Sequence, residues 1–198
     1  MSPAILNFGS CNIDHVYTVQ AFVSPGETLS SGTYQTFPGG KGLNQSVAIV
    51  QAGGACSHVG RIGQDGGWLK DMLHSLGINT DFLTVSTEPT GHAIIQVNQD
   101  GENAIITHGG ANHTMTQSEI DFALEGTKET DFVLIQNEIK NVGYIIERAK
   151  KKGLQVAFNA APINKGVEDY PLDVLDLLFL NEIEAFHLSV ISDNILII

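Results

Sequence analysis

From residue 131 onward the sequence alternates between two kinds of segment. "DFVLIQNE", "LQVAFNAAP" and "LDLLFLNE" are apolar runs of strand length, and residues 141–152 carry Val142, Ile145, Ile146 and Ala149 at helical spacing. Apolar strands joined by helices form a parallel sheet, because a parallel pair needs a crossover and a helix supplies it. Strands this apolar are expected to be buried, with the sheet covered on both faces. "AILNFG" and "CSHVGRIG" extend the pattern into the first half. The expected fold class is therefore α/β, with a doubly wound, mostly parallel sheet.

Two first-half helices accompany those strands. One follows Gly39-Gly40, with Leu43, Val47 and Val50 on one face, and stops at Gly53-Gly54. In the second, Asp65 is the expected N-cap and Trp68, Leu69, Met72, Leu73 and Leu76 the apolar face. Other segments do not fit a parallel sheet. "HVYTVQAF" and "TLSSGTYQTF" alternate polar and apolar residues, and "GHAIIQVNQDGENAIITH" is a hairpin pattern around Asp100-Gly101. These are expected to make a small separate sheet. "NILII" reads as the start of a buried strand at the end of the chain, so the sequence reads as truncated.

Composition narrows the function. The 198 residues carry a formal net charge of −12, which repels phosphate backbones and anionic lipids, so neither nucleic acid nor membrane is an expected partner. A small anionic substrate stays compatible, since local glycine amides can bind one. No apolar run is long enough to span a bilayer, and "LDVLDLLFL" contains two aspartates. Cys11 and Cys56 lack metal spacing or a disulfide framework, and the opening "MSP" lacks a basic, apolar leader pattern. Reduced thiols in a cytoplasmic protein are the expectation. The seven histidines show no ligand spacing.

The chemistry concentrates in "TFPGGKGLNQS" (36–46). A Walker loop would need Ser or Thr after the lysine, and Gly42 follows Lys41 instead. "GSCNID" has one glycine and is no dinucleotide fingerprint. Lys41 and Asn44 are three apart and share one face of the first helical turn, while Gly39 and Gly40 allow close backbone approach. Amides, an ammonium and a carboxamide suit a polyhydroxylated small molecule. Asn12 and Asp14 follow the first strand, where open α/β sheets bind ligands, and Asp14 is the expected partner of Lys41. A turn-forming Asn and Asp would explain the same two residues equally well. Glu138, in "LIQNE", again lies just past a strand. Asn181, Glu182 and Glu184 follow another strand, as candidates near Mg²⁺ or as first-turn residues matched to the helix dipole. "RAKKK" (148–152) is a basic, dipole-matched helix end.

Together "GSCNIDHVY", "PGGKGLNQSVAIVQAGG", "VGRIGQDGGWLKDML", "TGHAIIQVNQDGEN…HGGAN", "IQNE", "FNAAP" and "LNEIEAF" resemble the ribokinase-like (PfkB-type) carbohydrate kinases, the ribokinase branch being nearest. The resemblance implies that 1–198 is the N-terminal part of one ribokinase-like α/β domain with a small β-sheet lid within about 15–37 and 90–109. It implies an ATP-dependent kinase for a primary hydroxyl of a sugar, ribose first. Mg²⁺ is the expected cofactor, with a monovalent cation as an optional addition. It also allows a homodimer through the lid. Asn12, Asp14, Gly39, Gly40, Lys41, Asn44 and Glu138 would contact the sugar, Ala93 and Ile95 would cover it, and Asn181 and Glu184 would serve ATP, with Glu184 as metal ligand. His92 stands where an apolar lid residue is more usual. The family's Gly-Ala-Gly-Asp element, which supplies the anion hole and the base, does not occur in these residues, so no catalytic residue is assigned and the base is expected beyond Ile198. The chain alone is then expected to be inactive, or to be a truncated sugar-binding or dimerising fragment.

Overall fold

The computed structural model describes residues 4–164 and 166–191. The larger of its two sheets is parallel throughout. Its strands are β1 (Ala4–Phe8), β4 (Ala55–Ile62), β5 (Leu83–Val85), β8 (Phe132–Gln136), β9 (Gln155–Asn159) and β10 (Leu177–Phe179), ordered β10-β9-β8-β1-β4-β5. From β1 the chain works outward to β4 and β5, then returns to β8 and works outward the other way. The strand order therefore reverses between β1 and β8, and the carboxyl ends of those two strands flank the crevice where such sheets bind ligands.

Alternate side chains along the strands feed different layers. Leu6, Phe8, Val133, Ile135, Val156 and Phe158 pack with α3 (Gln117–Glu125) and α4 (Val142–Lys151). On α4 the buried residues are Val142, Ile145, Ile146 and Ala149, as the sequence spacing predicts. On the opposite face, α1 (Lys41–Gln51) and α2 (Gly67–Ser75) contribute Leu43, Leu69 and Leu73 to a second core with Cys56, Ile62 and Leu83.

That second layer is narrow, and two expectations change because of it. Coverage of both faces holds over β4 and is lost from the start of β1 toward β10. Ile5, Ile49, Phe132, Leu134, Leu177 and Phe179 line an open apolar cavity of about 430 Å³. β10 is consequently not a buried strand: Leu177 and Phe179 are each 51% exposed. The helix after it, α5 (Glu182–Ile191), places Leu188 in the α3–α4 core and leaves Ile183 and Phe186 exposed. The segment "NILII" lies outside the described residues.

The small sheet contains β2 (Asn12–Thr18), β3 (Thr33–Gly39), β6 (Gly91–Val97) and β7 (Asn103–His108), ordered β3-β2-β6-β7. β2 pairs antiparallel with β3 and parallel with β6, and β6–β7 is the expected hairpin. β2 starts earlier than the alternation suggested, because Asn12 has partners on both sides, Gly39 and Gly91. Residues 19–32 form no strand.

Helix starts also differ from expectation in two places. Asp65 does not cap α2: its Oδ1 accepts from the Thr90 amide at 3.0 Å and hydroxyl at 2.7 Å, tying the approach to β6. Gly66 occupies the N-cap without a side-chain bond, and Trp68 and Leu76 are exposed while Leu69 and Leu73 are buried. α3 was not apparent from apolar spacing, although Thr116 and Glu119 form a reciprocal capping box at its start. No helix among the described residues is long and apolar enough to cross a membrane.

The unequal coverage has a direct thermodynamic consequence. Phe158→Ala should cost about 3–5 kcal/mol in urea unfolding, since it empties a closed core. Phe179→Ser should stay within about 0.5 kcal/mol, as expected at an exposed position. Equal losses would mean that the β10 face is covered in solution.

Candidate functional site

The floor of the crevice is organised by the Glu138 carboxylate, carried just past β8. Oε2 accepts from the Ser10 hydroxyl at 2.5 Å and from the Lys41 amide at 2.9 Å, while Oε1 pairs with Lys41 Nζ at 3.2 Å. Ser10 takes the next two amides of α1: its Oγ accepts from Gly42 N at 3.2 Å and its carbonyl from Leu43 N at 2.8 Å. The first turn of α1 is thus satisfied by groups from β1 and β8 rather than by its own cap residue, Gly40, which makes no side-chain bond.

This replaces the expected Lys41–Asp14 pair. Lys41 is held by Glu138, whose negative charge sits at the helix N-terminus where the macrodipole favours it. Asp14 is instead carried up on β2, where a Cβ at Gly39 would overlap its carboxylate. Two glycines are required by this geometry. Gly40 has φ 95°, and a Cβ at Gly42 would collide with the backbone of Gly9 and Ser10.

The Asp14 side chain makes no protein hydrogen bond among the described residues. Burial pushes its carboxyl above the ordinary range and the Glu138 charge adds to the effect, while His15 opposes both. It is half-buried and near Glu138 but is not part of the cleft lining, and its carboxylate has no protein donor among the described residues.

A cleft of about 300 Å³ opens above this floor, lined by Asn12, Lys41 and Glu138 together with Asn112, His113, Asn137 and Asn164, and reached by Thr107 and His108 at the end of β7. Ala93 is buried and in register with Asp14 and Thr107, so the three share one face of the small sheet. Ile95, in register with Val16 and Ile105, lies one step further out on that face. His92 belongs to the opposite face, where its ring meets His108 at 5.2 Å and His15 at 5.9 Å. Asn44 is exposed on α1 and does not line the cleft. The residues missed from sequence are Asn112, His113, Asn137 and Asn164. "HGGAN" signalled a motif without saying which side chain would turn inward.

A model of pfkB family carbohydrate kinases matches residues 3–193. The chain belongs to that family. It is 36% identical over 190 residues to a ribokinase of Haemophilus influenzae, covering 93% of this chain and 62% of that one. Among solved structures it is similar to a ribokinase of Cryptococcus neoformans in complex with ADP, at 36% identity and a TM-score of 0.77, over 91% of this chain and 57% of that one. An Arabidopsis thaliana ribokinase complexed with ribose and ATP gives 31% identity and a TM-score of 0.69, over 81% and 54%. The chain thus spans about 62% of the length of its Haemophilus relative.

In this pfkB family member, Asn181 and Glu184 lie past β10, on the same carboxyl edge of the sheet but two strands beyond β8. They cap α5 reciprocally: Glu184 N donates to Asn181 Oδ1, and Asn181 N donates to Glu184 Oε2, both at 2.9 Å. No group of three or more His, Cys, Asp or Glu residues suited to a metal ion occurs among the described residues.

Beneath the floor is a buried polar layer. Asn7 Nδ2 donates to the Gly42 carbonyl at 2.7 Å and to Ser46 Oγ at 2.8 Å, and Gln136 Nε2 donates to Asn7 Oδ1 at 2.7 Å. His58 bridges Ser46 Oγ at 2.8 Å and Cys11 Sγ at 3.2 Å. Burial lowers the His58 imidazole to about 4, partly opposed by a bond to the Gly9 backbone, and raises the Cys11 thiol to about 12. Both groups are therefore neutral at pH 7.

A histidine lowered on folding stabilises fully above its unfolded value of about 6.5, and that stability is lost as pH falls toward 4. His58→Asn should flatten the pH dependence of unfolding in that window by roughly 1 kcal/mol per unit. Urea midpoints at pH 7, 5.5 and 4.5 check this, and an unchanged slope would remove His58 as the acid-sensitive group.

Proposed function

We propose that the cleft binds a small polyhydroxylated sugar, with ribose the first candidate, and that the chain is the acceptor-binding part of an ATP-dependent sugar kinase acting on a primary hydroxyl. The observation that carries this reading is the mixed lining at the strand-order reversal. In the cleft wall Glu138 offers acceptors while Lys41 and Asn12 offer donors, and Asp14 stands nearby on β2, close enough to feel the Glu138 charge. Every sugar hydroxyl both donates and accepts, so alternating protein groups suit it better than a uniformly charged or apolar wall. The Lys41–Glu138 pair is also well matched to exchange. Lys41 is 39% exposed, so the ion pair contributes about 1 kcal/mol or less, whereas bonds from an amide or hydroxyl to a carboxylate contribute about 1.5–3 kcal/mol. The ammonium can turn to a ligand while Glu138 keeps its hold on α1.

The small sheet serves as the lid in this reading, with Ala93 and Ile95 over the sugar; residues 1–198 are then the N-terminal part of a single α/β domain. Exposed Tyr34, Phe37, Ile94, Ile105 and Ile106 on that sheet support a homodimer through it. The net charge of −12 supports a small-molecule partner over nucleic acid or membrane, and the free thiols of Cys11 and Cys56 support a cytoplasmic setting.

ATP would supply the phosphoryl group, a use supported by the relatives solved with ADP and with ribose and ATP. Asn181 and Glu184 are the candidates to meet it at the carboxyl edge. A magnesium site is not formed by the described residues alone, since Glu182 and Glu184 are joined by no third potential ligand and one Glu184 oxygen caps α5. What this chain's own residues do is bind and orient: Asn12, Asp14, Lys41 and Glu138 fix the sugar's hydroxyls, and the small-sheet face that carries Ala93 and Ile95 covers them.

A second reading is that residues 1–198 act as a non-catalytic sugar-binding or dimerising fragment. Its support is the 62% share of the Haemophilus relative, the open cavity beside β10 and the absence of a Gly-Ala-Gly-Asp stretch in the sequence. Phosphoryl transfer depends on positioned donors and a base, and one such donor contributes on the order of 10²–10³ in rate. Purified residues 1–198 should bind ribose weakly and release no ADP above background in a coupled assay. Turnover at rates usual for a kinase, about 1–100 per second, would overturn this expectation.

In an enzymatically active form containing these residues, Asp14→Asn and Lys41→Ala should each raise KM for the sugar and lower kcat/KM about ten- to a hundredfold with Tm preserved. Unchanged kinetics in both variants would reject the sugar-contact assignment.

A further inference from the structure

The turn Gly110–Thr114 after β7 brings Asn112 to the cleft, where it is 2% exposed. Its carboxamide is fully committed. Oδ1 accepts the Cys11 amide at 3.0 Å, and Nδ2 donates to the Cys11 carbonyl at 3.2 Å and to Asn12 Oδ1 at 2.8 Å. An asparagine amide can usually be turned end for end with little consequence for shape. Here the Cys11 backbone forbids it, since a reversed amide would set oxygen against a carbonyl and NH₂ against an N–H.

That constraint passes to its neighbour. Asn12 Oδ1 must face Asn112, which leaves the Asn12 NH₂ group without a hydrogen bond among the described residues, on a side chain that lines the cleft. Gly91 leaves room for the contact. It pairs with Asn12 across β2–β6, and a Cβ there would overlap Asn112 Nδ2 and come within 2.5 Å of Asn12 Oδ1. Asp14, two residues along the same strand face, carries acceptors only while ionised. A donor beside an acceptor matches two neighbouring hydroxyls, one accepting and one donating.

We infer that Asn112 is a positioning residue for sugar recognition: by holding Asn12 in one amide orientation, it makes the site offer a hydrogen-bond donor rather than an acceptor to one sugar hydroxyl. This rests on the sugar-site reading above and adds which way the site is polarised. Asp at 112 cannot donate to Asn12, so the Asn12 amide would turn its NH₂ toward the new carboxylate and its oxygen toward the cleft. Asp at 12 would present an acceptor to the cleft directly.

The test compares dissociation constants of ribose and its 1-, 2- and 3-deoxy analogues by calorimetry or ligand-observed NMR, using the full chain, Asn112→Asp and Asn12→Asp. Circular dichroism confirms folding of each. Both variants should weaken ribose about ten- to a hundredfold, while affinity for the same single deoxy analogue changes less than about threefold. A merely structural role predicts equal weakening of ribose and all three analogues by Asn112→Asp, and that result, or unchanged ribose affinity, would overturn the inference. Should Asn112→Asp fail to fold, Gly91→Ala takes its place, and sparing of different analogues by it and Asn12→Asp would overturn the inference. Failure of the unmodified chain to bind any of the four sugars would reject the sugar-site reading itself, and this inference with it. Binding by the unmodified chain with uniform loss in the variants would reject the inference alone.

Discussion

One carboxylate joins three elements that are far apart in sequence. Glu138, arriving on β8, receives the Ser10 hydroxyl from the end of β1 and both the amide and the ammonium of Lys41 at the start of α1. A helix N-terminus needs its amides satisfied and prefers a negative charge nearby. Gly40 cannot supply a side-chain cap, and its φ of 95° is one that glycine tolerates readily. The strand-order reversal brings β8 beside β1, and so brings Glu138 to the place where the cap is missing. The glycines of "PGGKG" and the acid of "LIQNE" therefore belong to one structural unit.

The layer below makes that unit rigid. Asn7, Ser46, Gln136 and His58 are all fully buried, and their hydrogen bonds join β1, α1, β8 and β4. Buried polar groups are costly when unpaired, so such a network tolerates few alternative arrangements. The cleft consequently has a firm floor. Its roof is a four-stranded sheet with exposed apolar side chains, and the large sheet beside it is closed on one face and partly open on the other.

Much of this was legible because it is periodic or local. The α4 stripe of Val142, Ile145, Ile146 and Ala149 repeats at helical spacing, and the hairpin around Asp100-Gly101 alternates cleanly. Lys41, Asp14, Asn12 and Glu138 stood out as polar residues at apolar strand ends. Their pairing was not legible. Asp14 and Glu138 are both carboxylates after strands, and nothing local distinguishes which one reaches Lys41. Asp65 was misread as a cap for a similar reason: its partner, Thr90, is 25 residues away. Asn112 was visible only as part of "HGGAN", since its role depends on Cys11, 101 positions earlier.

The sequence by itself determined the elements, their apolar faces, the glycines that permit close approach and the inventory of donors and acceptors near the strand ends. These follow from side-chain chemistry and spacing within a few residues. Only the tertiary structure decided that Glu138 rather than Asp14 neutralises Lys41, that Asn112 orients Asn12, and that β10 lies at an open edge. Each of those depends on which strands become neighbours, and strand order is set by the packing of the whole sheet rather than by any one segment.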